Sequence, residues 1–213
     1  MENQLMDLLQ SQLGNQDFIG QLTKQIGGDN PVQTQAAIPG IVSTLMSAMA
    51  KNASTPEGAN SLANALDRDH DGSILDDAMG MLSGQTQSGN AKMLNGAGIL
   101  SHLLGGKQNG AIQMISQMSG LDQGKTGNLM TMLAPILMGA LGKTKKQNGL
   151  DAGGILNLLT GSLSTQRKQS GTVGNQSLDM ISAFLDQDGD GDVKDDLLKI
   201  GGKLLGGLFR RKR

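Results

Sequence analysis

The sequence predicts an all-α protein. About ten short helices form a compact bundle, arranged as two pseudo-repeated halves that each end in an acidic D-x-D-x-D-G loop. Three observations predict this. Apolar residues recur at three- and four-residue spacing along almost the whole chain, which is the period of a helix with one buried face. Strand signals are nearly absent: β-branched runs are short, alternation is not sustained, and the 213 residues include no Trp or Tyr and only three Phe. Gly pairs and amide-rich loops, drawn from 32 Gly in all, separate the apolar stretches.

The elements follow in order. Leu5, Met6, Leu8, Leu9 and Leu13 form the first stripe, ended by Gly14. Phe18, Ile19, Leu22 and Ile26 form the second, ended by Gly27-Gly28. Asn30-Pro31 reads as the N-cap and first position of a third helix, where the missing proline N–H costs nothing. That helix carries Ile38, Ile41, Val42, Leu45, Met46 and Met49, and Pro39 is expected to kink or split it. Ser54-Thr55-Pro56-Glu57 predicts the next start, with a capping box from Ser54 to Glu57. Leu62 and Leu66 then lead into the first acidic loop. The second half repeats the style over 93–104, 112–118, 129–141, 150–163, 178–185 and 197–209.

Segments 83–90 and 164–176 read as linkers, dividing the chain into units 1–83, 91–163 and 177–213. Gln25-Ile26-Gly27-Gly28 matches the style of Gln117-Met118-Ser119-Gly120, and Ala37-Ile38-Pro39 that of Leu133-Ala134-Pro135. The offset between the halves grows from 92 to 96 to 119 residues, so loops lengthen in the second half.

Composition excludes several functions. With no Cys there is no disulfide framework, zinc–thiolate site or thiol nucleophile. The near absence of aromatics argues against stacking platforms for sugars or single-stranded nucleic acid. The net charge of -1 gives no global field for nucleic acid. No basic-then-apolar leader opens the chain and no run approaches 18 apolar residues. A cytoplasmic location is expected, with leaderless export left open.

The distribution of acidic residues is the informative feature. Of 19 Asp and Glu, eleven fall in two 11-residue windows, 67–77 and 186–196, where an even spread would place about two. The first reads DRDHDGSILDD and the second DQDGDGDVKDD, both fitting D-x-D-x-D-G-x-[IV]-x-D-D. Each follows an apolar helix end, Ala65-Leu66 or Phe184-Leu185.

Ca²⁺ takes six to eight oxygen ligands, and this spacing supplies them if the chain wraps the ion. The expected ligands are Asp67, Asp69, Asp71, the Ser73 carbonyl and Asp77 in the first loop. In the second they are Asp186, Asp188, Asp190, the Asp192 carbonyl and Asp196. Gly at position 6 permits the turn, and Ile74 or Val193 at position 8 anchors the loop to the core. Paired loops would join backbones at Ile74 and Val193. Position 12, a bidentate Glu in a standard EF-hand, is Ala78 or Leu197 here. Asp77 and Asp196 are therefore taken as closing ligands and Asp76 and Asp195 as caps of the exiting helix, an order within each pair that the spacing leaves open. Mg²⁺ suits such sites less well, since it prefers few protein ligands and retained water. The competing reading is a solvated acidic loop that starts a helix.

The chain resembles the bacterial domain-of-unknown-function 937 family, whose relatives include YidB-like proteins. ALDRDHDGSILDDAMGML (65–82), NGAGILSHLLGGKQ (95–108), SGLD (119–122) and LAPILMGALGK (133–143) carry the resemblance, over roughly residues 20 to 160. The second acidic loop lies beyond that stretch. The resemblance implies a small helical bacterial protein and brings no activity or catalytic residues.

Weaker signals have bland readings. His102 is expected to pack or cap a helix, and His70, at an even loop position, to face solvent. No Ser–His–Asp arrangement is present, and the Asp clusters leave no base once they act as ligands, so an enzyme is not expected. The 13 Met, among them Met46, Met49, Met130, Met132 and Met138, read as core filling, with an adaptable groove uncovered by Ca²⁺ as the sharper alternative. Residues 197–213 are amphipathic and end in Arg210-Arg211-Lys212-Arg213.

The expected function is thus a non-enzymatic calcium-binding helical protein with two EF-hand-like loops. The ion either stabilises the fold or switches a contact with a protein partner. The second reading is a membrane-surface or structural assembly protein acting through 197–213, where a cationic amphipathic helix meets anionic lipid.

Overall fold

The computed structural model describes residues 2–76 and 95–169. Within them every regular element is helical. The first half holds α1 (Glu2–Leu13), α2 (Gln16–Gln25), α3 (Pro31–Asn52), α4 (Pro56–Asp69) and the short α5 (Ser73–Asp76). The second holds α6 (Gly96–Leu104), a 3-10 turn (Gly105–Lys107), α7 (Gln108–Ser119), α8 (Gln123–Asn148) and α9 (Ala152–Gln169).

The long helices α3 and α8 are apolar almost all round, and such helices must be central. Ile38, Ile41, Val42, Leu45, Met46 and Met49 of α3 are buried, as are Leu129, Met130, Leu133, Ile136, Leu137 and Leu141 of α8. The other helices surround this pair. α2 packs on α3, α7 on both long helices, and α6 on α8 and α3. The last helix of each half crosses over: α4 lies against α8 and α9 against α3, and α4 and α9 touch each other. One hydrophobic cluster therefore runs from Leu5 to Leu159. Several buried hydroxyls are absorbed by their own helices, Thr44 donating to the Gly40 carbonyl at 2.8 Å and Thr144 to Ala140 at 2.9 Å.

Local chemistry sets most boundaries. Asn30 caps α3 as expected, its Oδ1 accepting from the Val32 N–H at 3.0 Å with Pro31 behind it. The next cap lies one residue later than the sequence suggests. Thr55, not Ser54, accepts from the Gly58 N–H at 3.1 Å. Pro56 then holds the first helical position and Gly58 the third, so Glu57 closes no capping box. Ser54 instead donates to the Lys51 carbonyl at 2.7 Å, finishing α3.

Pro39 does not split α3. It removes the N–H that would serve the Gln35 carbonyl, but both residues are exposed and water can serve it instead. Pro135 likewise sits inside α8. There the freed Thr131 carbonyl is covered by the backbone of Gly96, where a side chain would collide. The linker expected from Ser164 starts late, since α9 remains helical through Gln169. Met46, Met49, Met130 and Met138 are buried and Met132 half-buried, as core filling requires.

Candidate functional site

The first acidic loop begins inside a helix. α4 continues through Asp69, so Asp67 and Asp69, at the first and third loop positions, are two residues apart on helical backbone. Residues at that separation do not face one another. Asp67 is exposed and pairs with Lys145 of α8. Asp69 is half-buried and turns to a cleft on another side of α4.

The chain leaves α4 at His70 and turns sharply. Gly72 has φ +99°, a conformation L residues avoid, and a Cβ there would come within 2.6 Å of Lys143 Cβ. Asp71 accepts from the Ser73 N–H at 3.1 Å and so starts α5. This bond, reinforced by the Ser73 side chain, lowers the exposed Asp71 carboxyl below its ordinary value, with Lys146 adding to the shift. Asp71 thus takes the capping role expected of Asp76, which lies inside the helix. Ser73 is exposed.

Ile74, at position 8, does anchor the loop. It is buried, and its side chain rests directly on Gly139 of α8. Its backbone is helical rather than extended. One turn on, the backbone of Gly142 meets the His70 carbonyl so closely that any side chain there would collide. The pair Gly139 and Gly142 is thus the seat on α8 that receives the end of α4 and the start of α5.

The expected ligands are not gathered among the described residues. No group of three or more His, Asp or Glu there is placed to hold a metal ion. Asp77 lies outside the described residues, as do Asp186, Asp188, Asp190, Asp192, Asp196, Asp195, Val193 and the tail 197–213. Among the described residues no helix is long and apolar enough to cross a membrane.

His70 corrects the sequence reading. It is 4% exposed rather than solvent-facing, because the Gly142 contact draws its backbone onto α8. Its Nδ1 is buried without a hydrogen-bond partner. Burial lowers the imidazole below its ordinary 6.5, the neighbouring Asp69 carboxylate acting in the opposite direction. His102 is neither packed nor capping. It is exposed in the last turn of α6. Both histidines and Asp69 line one cleft of about 460 Å³ between α4, α6 and α8. Sequence spacing could not find this site, since His70 and His102 meet only through helix packing.

The chain matches the family described as a bacterial protein of unknown function (DUF937) over residues 7–144. It belongs to that family. The DUF937 match begins earlier and ends sooner than the resemblance suggested, taking in α3, α4, the first acidic loop, and α8 as far as residue 144 with the Gly139–Gly142 seat. The whole of α9 and the whole second acidic loop lie outside it. No curated protein and no solved structure matches the chain.

Proposed function

We propose that this bacterial protein is a non-catalytic Ca²⁺-binding protein, holding one ion in each acidic loop and using it to switch a contact with a protein partner. The observation that carries the reading is the shared D-x-D-x-D-G-x-[IV]-x-D-D spacing at 67–77 and 186–196. Three features of the first loop support it: Gly72 at positive φ, the Asp71 turn back to the Ser73 amide, and the buried anchor Ile74. Filling the first site requires Asp67 to exchange Lys145 for the ion. It also requires the last turn of α4 to open, so that Asp69 swings toward Asp71. That opening is the switch.

Equilibrium dialysis of the full chain against Ca²⁺ tests the stoichiometry. Two ions per chain are expected, one in Asp71→Asn, one in Asp190→Asn and none in the double variant. Two ions retained by either single variant would remove that loop from the reading.

We also propose that α1–α4 and α6–α9 are two copies of one four-helix unit. α2 and α7 start 92 residues apart, as do α3 and α8; the ends of α3 and α8, and the starts of α4 and α9, are 96 apart. α3 has 22 residues and α8 has 26, so one extra turn accounts for the change. Crossed packing of α4 on α8 and α9 on α3 is what a two-fold relation would give.

A further inference from the structure

We propose that the cleft between α4, α6 and α8 binds a small organic cation, an ammonium head carried on a short apolar chain or ring. Its volume of about 460 Å³ lies in the range of small-molecule sites. Leu62, Ile99 and Met138 supply an apolar wall. Asp69 is the one formally charged side chain among the lining residues, which include no Lys or Arg. A half-buried carboxylate with no Lys or Arg beside it among the described lining residues attracts a positive head and repels an anion. His70 lines the same cleft, its Nδ1 buried without a hydrogen-bond partner.

The fold does not demand this lining. A second cleft of about 510 Å³ lies between α1, α3 and α9. Gln166 lines it, 96 residues beyond His70, and so does Val42, 96 residues before Met138. Among the described residues, no ionisable side chain lines that second cleft. The carboxylate and the two imidazoles belong to the first cleft alone.

The chain has only two histidines, so its imidazole NMR signals report this cleft directly. Metal-free full-length protein would be titrated at pH 7.5 with hexylammonium chloride, and separately with hexanoate and 1-hexanol. Excluding metal keeps the test independent of the calcium reading, which also uses Asp69. Hexylammonium is expected to shift both imidazoles saturably and to bind about tenfold more tightly than hexanoate, the scale of one partly desolvated charge interaction. Asp69→Asn is expected to reduce hexylammonium to the affinity of hexanol. Ala65→Phe, which fills the cleft, is expected to abolish the shifts. A non-saturating response, equal binding of hexanoate, or unchanged hexylammonium affinity in Asp69→Asn would overturn the proposal. The Asn variant keeps the side-chain shape, so that arm stands even if Ala65→Phe misfolds.

Discussion

Burial favours the neutral form of His70. In the unfolded chain its imidazole takes a proton near 6.5; in the folded chain burial delays protonation to lower pH. Above 6.5 both states are neutral and His70 adds no pH dependence. Below 6.5 the unfolded state binds the proton first, so stability falls until the folded imidazole also titrates. The urea midpoint should therefore drop between pH 7.5 and 5.5, and drop less in His70→Gln. His102→Gln, altering an exposed histidine of the same cleft, should retain the full drop.

The Asp67–Lys145 pair makes a different prediction. Asp67 is 59% exposed, so losing the pair in Lys145→Met costs only about 0–1 kcal/mol. If the ammonium occupies a carboxylate that Ca²⁺ needs, the same variant tightens calcium binding a few-fold in calorimetry. At this scale the sequence was legible where a role is local. Asn30 and Pro31 announce a helix start by their own chemistry. The places of His70 and Asp67 depend on α8, more than seventy residues away in the chain, and no local pattern encodes them.

α8 holds the first acidic loop through steric contact. A methyl at Gly142 meets the His70 carbonyl, so Gly142→Ala must push α4 off its seat, costing about 1–3 kcal/mol. Gly20 of α2 has nothing within 4 Å of a would-be Cβ. Gly20→Ala should therefore gain about 0.5–1 kcal/mol from helix propensity alone. Urea unfolding followed by circular dichroism checks both, and opposite signs are the point of the comparison.

Element identity was readable from apolar spacing, because a buried helical face leaves a 3.6-residue signature. Element ends were less so. Thr55 displaces Ser54 as cap because the proline that follows fixes the register, and α9 continues past Ser164 because Gln166, Arg167, Lys168 and Gln169 all favour helix. The acidic loop misled in one respect: its first positions are the last turn of α4. A pattern of alternate Asp residues fits both a loop around an ion and the end of a helix, and only the backbone distinguishes them.

Across the whole molecule the two halves share one core. α4 is completed by α8 and α9 by α3, so neither half buries its apolar faces alone. Unfolding should be a single transition, with helicity and the His70 and His102 imidazole signals lost at the same urea concentration. Separate midpoints would show that the halves are independent. The same interlocking gives the calcium reading its mechanism, because an ion that opens the end of α4 disturbs the α8 seat as well.

Whether the acidic loops hold calcium is decided by calorimetric titration of metal-stripped full-length protein with Ca²⁺ under excess Mg²⁺. Concentration has to come from peptide absorbance or amino-acid analysis, since the chain has no Trp or Tyr. Two sites that Mg²⁺ does not block are expected, with a shift in far-UV circular dichroism as α4 opens. No heat of binding at any Ca²⁺ concentration up to the millimolar range would contradict calcium binding and leave both loops as solvated helix ends.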